Sequence, residues 1–216
     1  MREHEIEPVP GLPEALPAGE GVLWQGSPRW WSLAQRALHI RTLSIYFALM
    51  VTWSIVSAFT GGGTLLEIAI ASGTSLGLAV LCLGVLLVIG KALASATLYT
   101  ITNRRIVFKV GVALPMTINI PFTAIESAAV KRHADGTEDI VLTLMPHHQI
   151  AWLALWPHTR PWRVKRAEPM LRAIPVTSGA PAIISRALAA SAEMPVVPVE
   201  LDQHAASGGM RGAAVA

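Results

Sequence analysis

The chain has 216 residues, of which 52% are hydrophobic and only 14% charged, with a mean hydropathy of +0.49. Soluble domains carry nearer roughly 25% charged residues, so the composition points to a membrane protein. The net charge of +3 is too small, and its basic residues too scattered, for a nucleic-acid partner. Cys82 is alone in an apolar run, which excludes an internal disulfide and a cysteine metal cluster.

The N-terminus, "MREHEIEPVPGLPEALPAGEGV", is acidic and proline-rich and lacks the basic start and early apolar core of a secretory signal. Residues 1–41 are expected to form a cytoplasmic segment in which Trp30 and Trp31 anchor at the membrane interface. Two uncharged runs then reach the roughly 20 residues needed to span a bilayer. They cover about 42–60, "TLSIYFALMVTWSIVSAFT", and about 68–90, the second helix continuing past Lys91 to about 95. Basic residues flank the pair (Arg29, Arg36 and Arg41 before, Lys91, Arg104, Arg105 and Lys109 after), whereas the connection "GGGTLLE" has none. The asymmetry predicts a transmembrane hairpin over 42–97 with both termini cytoplasmic. Ala69, Gly73 and Gly77 recur every four residues, a spacing that lets helices approach closely in lipid. That face could pack on the first span, on a second copy of the chain, or on a partner's helix.

From Leu98 the pattern changes to short strands between turn signals, with no linker. Strands are predicted over 98–102, 105–110, 116–122, 125–132, 139–145 and 150–156. Asp135-Gly136 gives the strongest hairpin signal. In "MTINIPF", Met116, Ile118 and Ile120 share a face. Trp152 and Trp156 would share a core-facing side of the last strand. A basic, proline-broken stretch follows, and then "SGAPAIISRALAASAE", an amphipathic helix with Ile183, Ile184, Ala187 and Leu188 on one stripe. The outline is a membrane α hairpin plus an α+β domain over 98–192, a pleckstrin-homology-like antiparallel barrel or sandwich closed by a C-terminal helix. Residues 193–216 are expected to be a disordered tail.

Candidate sites are few. His133, His147, His148 and His158 fall in separate turns without acidic or cysteine companions at ligand spacing, and read as surface histidines rather than metal ligands. No nucleophile elbow, phosphate-binding glycine loop or paired acids stand out, so catalysis is not expected. Trp162 is framed by Arg160, Arg163, Lys165 and Arg166, a patch suited to anionic headgroups, to an acidic partner, or only to solvent.

Two motifs carry a family resemblance. "GEGVLWQGSP" (19–28) and "LYTITNRRIVFKVG" (98–111) on either side of a helical hairpin resemble bacterial pleckstrin-homology-like membrane proteins. Within them, "PMTINIPFTAIESA" and "HQIAWLALWPHTRPWRVKRAEPMLRAIP" resemble the PuhB-type photosynthetic complex assembly proteins of purple bacteria, over about residues 7 to 190. The resemblance implies a non-enzymatic protein of the photosynthetic inner membrane, with reaction-centre and light-harvesting 1 subunits as partners and no cofactor. Arg104 and Arg105 are read as topology and headgroup anchors. A lipid-sensing module or a self-associating scaffold are the alternatives.

Overall fold

The structure is a computed structural model describing residues 11–12, 14–148, 150–161, 163 and 165–193. Trp162 and the expected tail from Met194 lie outside the described residues.

Helix α2 (Ile40–Thr60) and helix α3 (Leu65–Ser95) form the hairpin, preceded by a short helix, α1 (Trp30–Ala37). Both long helices are long and apolar enough to cross a membrane. Thr64 caps α3 reciprocally with Glu67: its hydroxyl accepts from the Glu67 N–H, and the Glu67 carboxylate accepts from the Thr64 N–H at 2.7 Å. The pair is apolar all round yet bare, with Trp53 74% and Leu65 87% exposed. Only Ile40 of α2 and Ala79, Gly90 and Ala94 of α3 are buried. A surface of this kind needs lipid or another apolar cover.

Within the hairpin, the Ser54 and Ser75 hydroxyls meet at 3.4 Å, and Ser54 also donates to the Ala71 carbonyl. Ala79, one turn beyond Ser75, is buried. The contact stripe is therefore Ala71, Ser75 and Ala79, about 200° round the helix from Ala69, Gly73 and Gly77. A side chain added at Gly73 or Gly77 would meet nothing within 4 Å.

At 1.5 Å per residue the 31 residues of α3 measure about 46 Å, longer than a hydrocarbon core of about 30 Å. Its last turns carry α1. Leu33 and Ala34 of α1 are buried there, Leu33 in a small core with Ala94 and Ala173, flanked by the partly buried Leu93. Gly90 makes this possible, since a Cβ on it would lie 2.7 Å from the Ala34 Cβ and 3.3 Å from its Cα.

The β part has two antiparallel sheets. Strands β1 (Val22–Gly26), β2 (Leu98–Thr102), β3 (Arg105–Val110) and β4 (Met116–Pro121) lie in that order. Strands β5 (Ile125–Arg132), β6 (Thr137–Leu144) and β7 (Met170–Pro175) form the second sheet. Helix α5 (Ala180–Glu193) lays Ala180, Ile184 and Ala187 into the shared core, beside Tyr99, Phe108, Ile140, Leu142 and Leu171.

Several expectations are corrected. The two sheets do not join into a closed barrel: Pro121 and a 3-10 turn over Phe122–Ala124 interrupt the ladder between β4 and β5. The sheet begins not at Leu98 but at Val22, because the segment ahead of the hairpin supplies β1. Residues 150–156 are not a strand; they hold one helical turn, α4 (Trp152–Leu155), leaving Trp156 43% exposed rather than in the core. An all-apolar run of that length has no alternation to distinguish strand from helix. Strand β7 instead falls between Pro169 and Pro175, with an extra residue at Ala173, whose φ of 53° marks a bulge.

Gly90→Leu is expected to lift α1 from α3 and lower the unfolding temperature of the detergent-purified chain by several degrees, about 1–3 kcal/mol for overpacking. Gly84→Leu, which meets open space, should leave that temperature unchanged in the same fluorescence melt.

Candidate interaction site where the hairpin meets the sheets

The two family-like motifs clasp each other. Asn103, at the β2–β3 turn, accepts from the Gly21 N–H at 3.1 Å and donates to the Gly19 carbonyl at 2.9 Å. Glu20, its side chain 3% exposed, receives two hydrogen bonds from the Arg105 guanidinium at 2.7 and 3.1 Å. Such forked pairing fixes both partners. Arg105 is thus committed to holding the N-terminal segment and is not free as a headgroup anchor. Arg104 is exposed beside Gly19.

A buried chain of hydrogen bonds ties β7 to α3. The Arg172 N–H donates to the Tyr99 hydroxyl at 3.2 Å, and because Thr97 donates to Leu93 and so accepts from the Nε2–H of a neutral ring, that hydroxyl donates to His158 Nδ1 at 2.6 Å. His158 Nε2 then carries the proton and donates to Thr97 Oγ1 at 3.0 Å, which donates to the Leu93 carbonyl at 2.7 Å. His158 is 1% exposed, not the surface histidine expected. Burial, reinforced by the Arg172 charge, pulls its pKa down to about 3. Burial also pushes the Tyr99 hydroxyl up, so the relay stays neutral.

Arg36 of α1 makes the second tie. It reaches Asp135 at 2.5 Å, Asp139 at 3.1 Å and the Thr137 hydroxyl. Asp139 also accepts from the Ala173 N–H at 2.8 Å and bonds His133 at 2.8 Å. Burial pushes the Asp135 carboxyl up, but hydrogen bonds from Thr137, Ser32 and Arg36 outweigh it and hold the group well below the usual carboxylate range. The Ala173 bulge completes the joint, its carbonyl accepting from the Arg29 N–H at 2.9 Å.

The basic patch is partly assembled. Arg160 and Arg163 both grip Glu168, at 3.0 and 3.1 Å, and that carboxylate is 4% exposed. Arg166 turns away to the Leu144 carbonyl and Glu126, and Lys165 is exposed. Trp30 and Trp31 stand edge to face, half exposed, at the start of α1. Ala69, Gly73 and Gly77 lie elsewhere, on the bare hairpin. Between α1, the start of α2 and α4 opens a cavity of about 370 Å³, lined by Arg36, His39, Trp152, Trp156 and Arg172 among others. Among the described residues no group of three His, Cys, Asp or Glu side chains could hold a metal ion.

Sequence reasoning missed Tyr99, Arg36, Asp139 and Arg172. The relay and the Arg36 joint connect residues far apart in the chain, and Asp135 signalled only a turn. The nearest available hint was the density of buried-type polar residues, Thr97, Thr100 and Thr102, around an apolar strand.

The relay has a pH signature. An unfolded imidazole titrates near 6.5, so between that value and about 3 the unfolded chain binds a proton that the folded chain refuses. Stability is fully present above the unfolded value and falls with decreasing pH, by up to about 1.4 kcal/mol per pH unit. His158→Gln is expected to melt lower at neutral pH but to show a flatter melting-temperature profile from about pH 6 to about pH 4. Parallel profiles would exclude a neutral buried imidazole.

Residues 40–175 match the bacterial PH domain family, a stretch running from the first residue of α2 to the last of β7. The chain is also 34% identical over 200 residues to an "Uncharacterized 23.7 kDa protein in puhA 5'region" of Rhodobacter capsulatus, covering 91% of this chain and 94% of that protein. No solved structure matches. A match that takes in the hairpin and strands β2 to β7 as one unit, over more than half of the chain, places it in a family: it belongs to the bacterial PH domain proteins.

Proposed function

We propose that the chain is a non-enzymatic assembly factor for the photosynthetic reaction centre–light-harvesting 1 core complex. Its hairpin spans the bacterial inner membrane with both termini cytoplasmic, and the β sheets stand at the cytoplasmic surface. The observation that carries this reading is the near full-length likeness to a protein whose name places it 5' of puhA, a setting that points to a photosynthesis-related role. The bare apolar hairpin supports the membrane placement, since few of its residues are covered by the rest of the chain. The joint made by the Tyr99–His158–Thr97 line and by Arg36 supports a factor that presents its sheets to subunits at a fixed height, raising their effective concentration near the partner.

The open stripe of Ala69, Gly73 and Gly77 is the part of the hairpin best suited to a partner's helix, because close approach there costs no intramolecular contact. Deleting the gene from a purple bacterium should lower the yield of core complex while leaving pigment synthesis unchanged; a normal yield sinks the assembly reading. Complementation with Gly73→Leu/Gly77→Leu should give a normally inserted, normally melting protein that restores core complex poorly. If the same variant only dissociates copies of the chain from each other, the stripe serves self-association.

A further inference from the structure

The cavity beside α1 sits where the hairpin meets the β domain. His39, the residue immediately before α2, lines one wall in a left-handed conformation with a φ of 54°. Trp152 and Trp156 supply indole surface. Its polar lining is rich in donors. Arg36 is matched by Asp135 and Asp139. Arg172 is different: it is 8% exposed, and its Nη2 donates to the Thr159 carbonyl at 3.3 Å. Its Nε has no hydrogen-bond partner, and Asp139, the carboxylate that acts on its charge, is bonded to Arg36 instead. The Trp152 Nε1–H is also buried without an acceptor. An orphaned buried donor is costly, and although the Asp139 carboxylate, shared with Arg36, offsets the Arg172 charge, it leaves the Nε hydrogen unbonded. What both lack is an acceptor.

We propose that this cavity holds the phosphodiester of an anionic phospholipid, taken between Arg172 and the Trp152 indole N–H at the cytoplasmic end of α2. The inference rests on the membrane placement given above. With α2 in a bilayer, residue 39 stands at headgroup height, and indoles favour that same layer. Leu153, 78% exposed, and the half-exposed Trp156 give α4 an apolar outer face beside the cavity. A free anion would gain nothing from it, whereas a lipid's glycerol and upper chains would cover it. Arg160, Arg163 and Lys165, on the neighbouring loop, add attraction for a charged headgroup over a zwitterionic one. The volume of about 370 Å³ is at the small end of ligand pockets, large enough for a headgroup and too small for whole chains.

The test uses the full chain, purified in detergent, stripped of lipid and titrated with phosphatidylglycerol or phosphatidylcholine under native mass spectrometry. One phosphatidylglycerol should bind in preference to phosphatidylcholine. Arg172→Gln should weaken it about tenfold and Trp152→Phe about threefold, the latter keeping the fold if the former does not. Arg186→Gln, on α5, should change nothing. Equal binding of the two lipids, or no loss in Trp152→Phe, overturns the proposal. So does inorganic phosphate displacing the lipid at equal concentration, which would make the cavity a site for soluble anions. Carbonate extraction of membranes separates the two readings: a chain that washes off loses the membrane placement and the site together, whereas one that stays but lacks the preference loses the site alone.

Discussion

Everything above the hairpin depends on one hydrogen-bonded line, from the β7 backbone through Tyr99, His158 and Thr97 to a carbonyl in the last turns of α3. Tyr99, His158 and Thr97 are fully buried, and the line has a single consistent donor direction. Such a line strengthens with burial and leaves a costly orphan wherever it is cut. It explains why the imidazole must be neutral. A second proton would turn Nδ1 into a donor facing a hydroxyl that is already donating.

The line alone would leave the sheets able to pivot, and α1 removes that freedom. One face of α1 closes on α3 at Gly90, while Arg36 reaches across to the β5–β6 turn. The helix is too short to persist by itself in water, so it exists because both surfaces are there to receive it. The same logic applies to β1, a strand of five residues held by β2 and by the Glu20–Arg105 and Asn103 contacts. The two sequence motifs that signal the family are thus two halves of one contact, separated in the chain by the hairpin.

Legibility in the sequence followed the range of the interaction. The long helices, and strands β2, β3 and β5, carry their own periodicity or composition and were readable at nearly their observed bounds. The C-terminal helix was as well, its stripe of Ile184 and Ala187 lying against the core as its spacing implies. Strands β1 and β7 draw their stability from distant partners and have no local alternation to announce them, whereas α1 is amphipathic but too short to stand out. His158 looked like a turn residue because its turn is buried by α3 and Tyr99, elements some sixty residues earlier. The arginines were the hardest to read. Arg36 and Arg105 have the same local signature as a membrane-flanking charge, and only the tertiary fold shows that both are consumed by carboxylates.

The overhang of α3 beyond the length of a bilayer core makes that helix a keyed shaft. Because the sheets follow Ser95 after only two residues and α1 locks onto Gly90, the domain inherits the phase of the helix. With the hairpin placed in a bilayer as proposed, each residue gained or lost between the bilayer and that lock would raise or lower the sheets by about 1.5 Å and swing them by about 100° about the shaft. Height and azimuth are therefore coupled. The orientation that the domain shows to neighbours around the hairpin axis is set by counting residues along one helix.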